Sequence, residues 1–126
     1  LSRLSRDKGK RGERELAQFF RDHGVNARRG QQFKGGADSP DVVHDLPGIH
    51  AESKRTERLR IYEALEQATE EARAGDIPAV FHRANNKPWI TILPAADFIA
   101  LVKAATAAST ADGSNHQRLR EEHANG

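Results

Sequence analysis

Two carboxylates and an ammonium are spaced along this chain as a hydrolytic metal site would need them. Pro40-Asp41 is followed, after ten intervening residues, by Glu52-Ser53-Lys54. Along a β-strand alternate side chains share a face. His50, Glu52 and Lys54 therefore point one way, and Ala51, Ser53 and Arg55 the other. With Asp41 on a neighbouring strand of a hairpin, its carboxylate sits beside that of Glu52. Two carboxylates that close repel in a low-dielectric pocket, and a divalent cation relieves the repulsion. Such an ion polarises a phosphate, lowers the pKa of an attacking water and neutralises charge in the transition state. Lys54 adds an ammonium that can orient the water or steady the developing anion without binding metal. Phosphodiester hydrolysis is the chemistry this pattern suits. A Glu-x-Lys alone is common, and an exposed strand with an alternating ion pair would contain the same residues. Its place on a predicted strand, after a Pro-Asp at hairpin distance, sharpens the hydrolytic reading.

Composition narrows the alternatives. The chain has 126 residues and no cysteine. That length suits one domain with a modest core. Without cysteine there is no disulfide, thiolate metal site or Cys nucleophile. His50-Ala51-Glu52 fits half of a zinc-deaminase signature, but the Cys pair that completes it is missing. Any metal must be held by oxygen or imidazole, and oxygen ligands favour Mg²⁺, with Mn²⁺ as a substitute. No stretch reaches the roughly 18 apolar residues of a membrane helix. Leu1 to Arg14 is basic with no apolar run behind it and does not read as a signal peptide. A cytoplasmic protein of bacterial or phage origin, with no membrane partner, is the expectation.

The net charge of +2 hides an asymmetry. Residues 1–36 carry ten Lys/Arg against four Asp/Glu, whereas residues 37–76 carry five against ten. The basic first third is where a polyanion would dock. Arg3, Arg6, Lys8, Lys10, Arg11 and Arg14 form a basic arm leading into the first helix, and Arg28, Arg29 and Lys34 flank the loop Gly30 to Gly36. Phosphate contact is the natural role of these groups, although a solvated charged arm would look the same.

The elements that must position the site can be read in order. Leu1 to Lys10 lacks apolar periodicity and is expected to be a mobile arm. Gly12 to His23 reads as a helix, with Leu16, Phe19 and Phe20 on one face and Gly24 as its cap. Val25 to Arg29 and Asp41 to His44 are strand candidates. Asp45-Leu46-Pro47-Gly48 is a turn, leading into a strand from Ile49 to Arg55 and so a hairpin. A helix spans Arg60 to Ala74, with Ile61, Leu65, Ala68 and Ala72 on its inner face. Ile77 to His82 and Trp89 to Leu93 are strands, and a last helix opens at Pro94 with Phe98, Leu101 and Val102 on one side. From Ala105 onward the chain reads as disordered or weakly helical, giving a domain over residues 1–104 and a tail over 105–126. This order predicts an α/β fold, a central mixed sheet flanked by helices, with a right-handed crossover into the fourth strand. His44 and His50 lie near the motif and could assist a metal or a phosphate, but read first as strand residues with local hydrogen bonds. Phe81 and Trp89 read as core.

Lys8-Gly9-Lys10-Arg11-Gly12-Glu13-Arg14-Glu15-Leu16, Pro40-Asp41-Val42-Val43, Glu52-Ser53-Lys54, Gly75-Asp76-Ile77-Pro78-Ala79-Val80 and Trp89-Ile90-Thr91-Ile92 together resemble the archaeal-type Holliday junction resolvases and their phage counterparts, within the PD-(D/E)xK nuclease superfamily. The resemblance covers about Lys8 to Val102. It implies a restriction-endonuclease-like fold and a catalytic set of Glu13, Asp41, Glu52 and Lys54. Asp41 and Glu52 would bind Mg²⁺ directly, the Ser53 backbone carbonyl would add a ligand, and Glu13 would reach the metal through water. Lys54 would position the nucleophilic water. Glu15 is the alternative to Glu13, which without the resemblance is simply a first-turn acid favoured by the helix dipole. Gln67 resembles a glutamine that several superfamily members place near the site, and Phe33 would stack or wedge at an open junction. The resemblance implies a homodimer, because two symmetric nicks need two sites and one chain supplies one. Its substrate would be the four-way DNA junction, cut as part of recombination and repair. Another DNA nuclease on the same fold, a DNA-binding module with a dead site, and a protein-interaction domain are the alternatives.

Overall fold

The computed structural model of the protein describes residues 3–30 and 42–111. Asp41, Phe33 and Lys34 lie outside the described residues, as does the side chain of Lys8. The elements follow the expected order: α1 (Arg3–Asp22), β1 (Ala27–Arg29), β2 (Val42–His44), β3 (Ile49–Arg55), α2 (Ile61–Glu71), β4 (Ile77–Arg83), β5 (Ile90–Ile92) and α3 (Ala95–Ala111). The chain divides into two units, Leu1–Pro94 and Ala95–Gly126.

In the first unit β3, β4 and β5 form a mixed sheet. β3 and β4 run parallel, with Glu52 opposite Val80, and β5 is antiparallel to β4. The connection from β3 through α2 to β4 is thus a crossover, as parallel pairing requires. The two faces of this sheet are sorted by the period of two. Ala51, Ala79 and Phe81 pack with Leu16, Ala17 and Phe20 of α1 and with Val42 of β2. Val80 packs on the other face with Ala64 and Ala68 of α2. The fold is therefore the expected α/β arrangement, a mixed sheet with a helix against each face.

Four details depart from the expected elements. First, α1 begins at Arg3, so the basic segment before Gly12 is helical. Lys, Arg and Leu are good helix formers, and a helix already anchored by Leu16 extends at one backbone bond per residue without an apolar stripe. It ends at a left-handed Gly24 (φ +80°), where Val25 N–H bonds the Phe20 carbonyl and Gly24 N–H that of Arg21.

Second, β2 and β3 do not make the expected hairpin. β2 pairs with β1 in a separate two-stranded sheet, Ala27 opposite His44. Asn26 extends that pairing, accepting from Asp45 N–H and donating its amide to the Asp45 carboxylate. The turn supplies little that could close a ladder toward β3. Leu46 N–H bonds the His44 Nδ1 at 3.0 Å, and Pro47 has no N–H to give.

Third, the inner face of α2 is Ala64 and Ala68, with Leu65 partly buried, whereas Ile61 is exposed. Two alanines one turn apart let the helix approach the sheet closely, and Leu59 fills the space before the helix starts. Fourth, α3 continues through Ala111. Its later half is rich in alanine, which needs no tertiary contact to favour helix over coil. No helix among the described residues is long and apolar enough to cross a membrane.

Candidate active site

β3 presents His50, Glu52 and Lys54 on its α2-facing side. Glu52 is only 1% exposed and His50 8%. A carboxylate so deeply placed needs hydrogen-bond donors, because a buried charge without them is costly. Glu52 has two. His50 Nε2 lies 3.2 Å from its Oε2, and Gln67 Nε2 donates to its Oε1 at 3.2 Å. The same Gln67 accepts from Lys54 Nζ at 2.8 Å through its Oε1. Its amide also donates to Glu71 Oε1, one turn further along α2, at 3.2 Å. One amide side chain thus ties the ammonium of Lys54 to the carboxylate of Glu52 and reaches a second acid.

Sequence reasoning singled out Glu52, Lys54 and Gln67, and the structure brings these three together. It left His50 between a strand histidine and an aid to a metal or phosphate, and it did not single out Glu71. The period of two already put His50 beside Glu52, and the i, i+4 spacing of Gln67 and Glu71 puts both on one stripe of α2. Those were the signals available. His50, Glu52 and Glu71 each offer a ligand atom, all within 4.8 Å of one another. This donor set of carboxylates and one imidazole fits a divalent cation such as Mg²⁺ or Mn²⁺, with oxygen as the main ligand type.

Glu13 stands in a different group. Its Oε2 accepts from Arg29 Nε at 2.9 Å, linking α1 to β1. Arg29, one of the residues expected to contact phosphate, is therefore engaged within the protein. Glu15, the alternative to Glu13, accepts from Arg55 of β3 at 3.1 Å and from Arg83 of β4 at 2.6 Å. It clamps α1 to the sheet on the face opposite Glu52. Gly12 permits this docking: a Cβ there would fall 2.6 Å from the Arg55 Cβ and 3.5 Å from the Ser53 Oγ. Lys10, Arg11 and Arg14 of α1 and Arg28 of β1 are exposed. They leave the basic surface of the first third open to a polyanion.

His44, at the end of β2, titrates below the ordinary imidazole range. Burial is the main cause, and nearby His50 adds to it. A hydrogen bond with the Ile49 backbone and the charges of Asp45 and Asp76 oppose it without prevailing.

Comparison with curated proteins and with solved structures finds no match. A family model described as the archaeal Holliday junction resolvase (Hjc) matches residues 4–113. The matched range takes in every described strand and, from residue 4 onward, every described helix. It includes the strand and helix that hold Glu52, Lys54 and Gln67 together. On that match over most of its length, the chain belongs to the archaeal Holliday junction resolvase family, a family of DNA nucleases.

Proposed function

We propose that this protein resolves four-way DNA junctions by Mg²⁺-dependent hydrolysis, nicking two opposed strands as a two-fold homodimer in the cytoplasm. The observation that carries the hydrolytic reading is the chain Lys54–Gln67–Glu52. A buried carboxylate and an ammonium are held on one face of β3 by a single amide. Asp41 and Glu52 would hold the metal, with the Ser53 carbonyl as a further ligand and Glu13 acting through water. When bound, the ion supplies Lewis acidity and a more acidic water. Lys54 positions that water, and Gln67 sets where the Lys54 ammonium points. Lys8, Lys10, Arg11, Arg14 and Arg28 would take phosphates, with Phe33 and Lys34 completing the DNA surface, whereas Arg29 is held by Glu13. A homodimer follows from the substrate: a junction cut symmetrically needs two sites related by a two-fold axis.

The test is cleavage of a labelled four-way junction beside a linear duplex of the same sequence, with Mg²⁺ or with chelator. Paired symmetric nicks are expected in the junction alone, and chelator should abolish them. Lys54→Ala should slow them by about 10²–10³-fold, the usual cost of removing one group that stabilises transition-state charge. Equal cutting of both DNAs would leave a nuclease without junction preference. Junction binding with no cutting, in Mg²⁺ or Mn²⁺, would leave a DNA-binding module.

A further inference from the structure

The hydrolytic reading gives Glu52 the work of holding a metal, but a carboxylate holds a cation well only if its plane is fixed. On α2, Gln67 bonds Oε1. The opposite oxygen, Oε2, faces His50 Nε2 at 3.2 Å. His50 is itself almost fully buried on the same strand. We propose that His50 is a positioning residue for Glu52: its Nε2–H donates to Oε2 and, with Gln67, fixes the carboxylate for metal binding. This rests on the reading of Glu52 as a metal ligand.

Three observations favour that role over two simpler ones. His50 and Gln67 approach different oxygens of Glu52, so together they hold both ends of the carboxylate. The Lys54 ammonium is steered to Gln67 Oε1. Finally, a hard cation such as Mg²⁺ prefers oxygen to imidazole nitrogen, which makes His50 better suited to orient a ligand than to be one. The competing roles are a histidine that merely fills space under α2, and a histidine that ligates the metal itself with Glu52 and Glu71, whose ligand atoms are close enough.

Substitutions in the full-length protein separate these roles. His50→Phe keeps the ring volume and removes the donor. His50→Gln supplies an amide N–H in its place. Mn²⁺ affinity is measured by calorimetry on the protein without DNA, and Mg²⁺ activation on the labelled junction. His50→Phe should weaken Mn²⁺ binding and raise the half-saturating Mg²⁺ by about ten- to hundredfold, the usual effect of losing a group that orients a ligand. His50→Gln should restore both to within about threefold of wild type. Metal affinities of wild type and His50→Phe that agree would reduce His50 to a packing residue. A His50→Gln as impaired as His50→Phe, with an unchanged melting temperature, would mean the imidazole nitrogen itself binds metal; either result overturns the proposal. If His50→Phe does not fold, His50→Met, which lacks a donor but adapts to irregular space, takes its place in the comparison. Glu52→Gln tests the premise separately. Wild-type Mn²⁺ affinity and cleavage in that variant would remove Glu52 from the metal site, whatever the His50 variants do.

Discussion

Gln67 is the residue through which the site's opposite charges meet. Lys54 and Glu52 project from the same face of β3, yet the hydrogen bonds route both to the Gln67 amide, ammonium to its oxygen and carboxylate to its nitrogen. A direct pair would satisfy the ammonium and the carboxylate with each other. The bridging amide stands between the two charges and makes both depend on one side chain. Gln67→Leu keeps most of the volume and removes both bonds. Its expected effect is a loss of about 10–100-fold in single-turnover junction cleavage, the range typical of groups that orient others in a metal site. Junction affinity should be unchanged within about twofold, because the basic groups of α1 and β1 are untouched. Cleavage and equilibrium binding are measured on the same labelled junction, and wild-type rates in the variant would make Gln67 a bystander. Glu71 shares the amide nitrogen, so the variant also releases that exposed acid.

Elements carry these residues, and their docking sets how tightly. α1 crosses β3 at Gly12, where no side chain fits against the Arg55 Cβ. Alanine there gains roughly 1 kcal/mol of helix propensity but must push α1 from β3, and overpacking of this kind costs about 1–3 kcal/mol. The clash is with a Cβ and not with the end of a flexible chain, so the packing cost should win. Gly12→Ala is expected to lower the melting temperature by several degrees, about 4 °C for each kcal/mol in a chain of this size. An unchanged or raised value in a thermal melt would show that α1 can ride further out. The β2–β3 turn makes a different prediction. His44 accepts the Leu46 N–H on Nδ1, and burial holds its pKa below the ordinary value, which is about 6.5. The unfolded chain therefore binds this proton more readily than the folded one. Stability should be full above about pH 6.5 and fall as pH drops through that value toward the lower folded-state pKa. His44→Asn, whose amide oxygen can still accept from Leu46, should flatten this part of a melting-temperature profile taken between pH 7 and 5. A slope as steep as wild type would assign the loss to other groups. Legibility differed along the same elements. The alternation in Ile49 to Arg55 was enough to put Glu52 and Lys54 on one face, because a strand has a single period. The pairing of β2 with β1 was not legible: turn residues announce a reversal without saying which strand receives the ladder, and here Leu46 spends its N–H on His44. Nor was the inner face of α2, where small alanines win over Ile61 because close approach to the sheet outweighs side-chain area. Glu13 and Glu15 lie two residues apart and look alike in sequence. Their separation into an α1–β1 link and an α1–sheet clamp depends on Arg29, Arg55 and Arg83, brought near only by the fold.

At the scale of the whole molecule the uneven charge of the sequence becomes a separation in space. α1 packs on one face of the sheet and α2 on the other. The exposed Lys10, Arg11, Arg14 and Arg28 therefore lie on the side of α1 and β1, whereas Glu63, Glu66, Glu70 and Glu71 line the exposed side of α2. A strand of DNA held by the first group would meet the second as an unfavourable border. The acidic helix would then discourage binding that bypasses the basic surface, as like charges opposed across an interface do. If the basic residues are the docking surface, each that meets a phosphate releases counterions, and the slope of log affinity against log salt records their number at about 0.9 per phosphate. Changing Lys10, Arg11, Arg14 and Arg28 together to Gln should therefore flatten that slope by about 3 to 4 and weaken binding to junction and duplex alike, since phosphates carry no sequence or branch information. The same four changes should leave the Mn²⁺ affinity of the free protein alone, because none of these residues bonds to Glu52, Lys54 or Gln67. The measurement is a salt titration of junction binding for wild type and the quadruple variant. An unchanged slope would move the DNA to another face. An intermediate slope would count how many of the four reach phosphate, with single reversions identifying which.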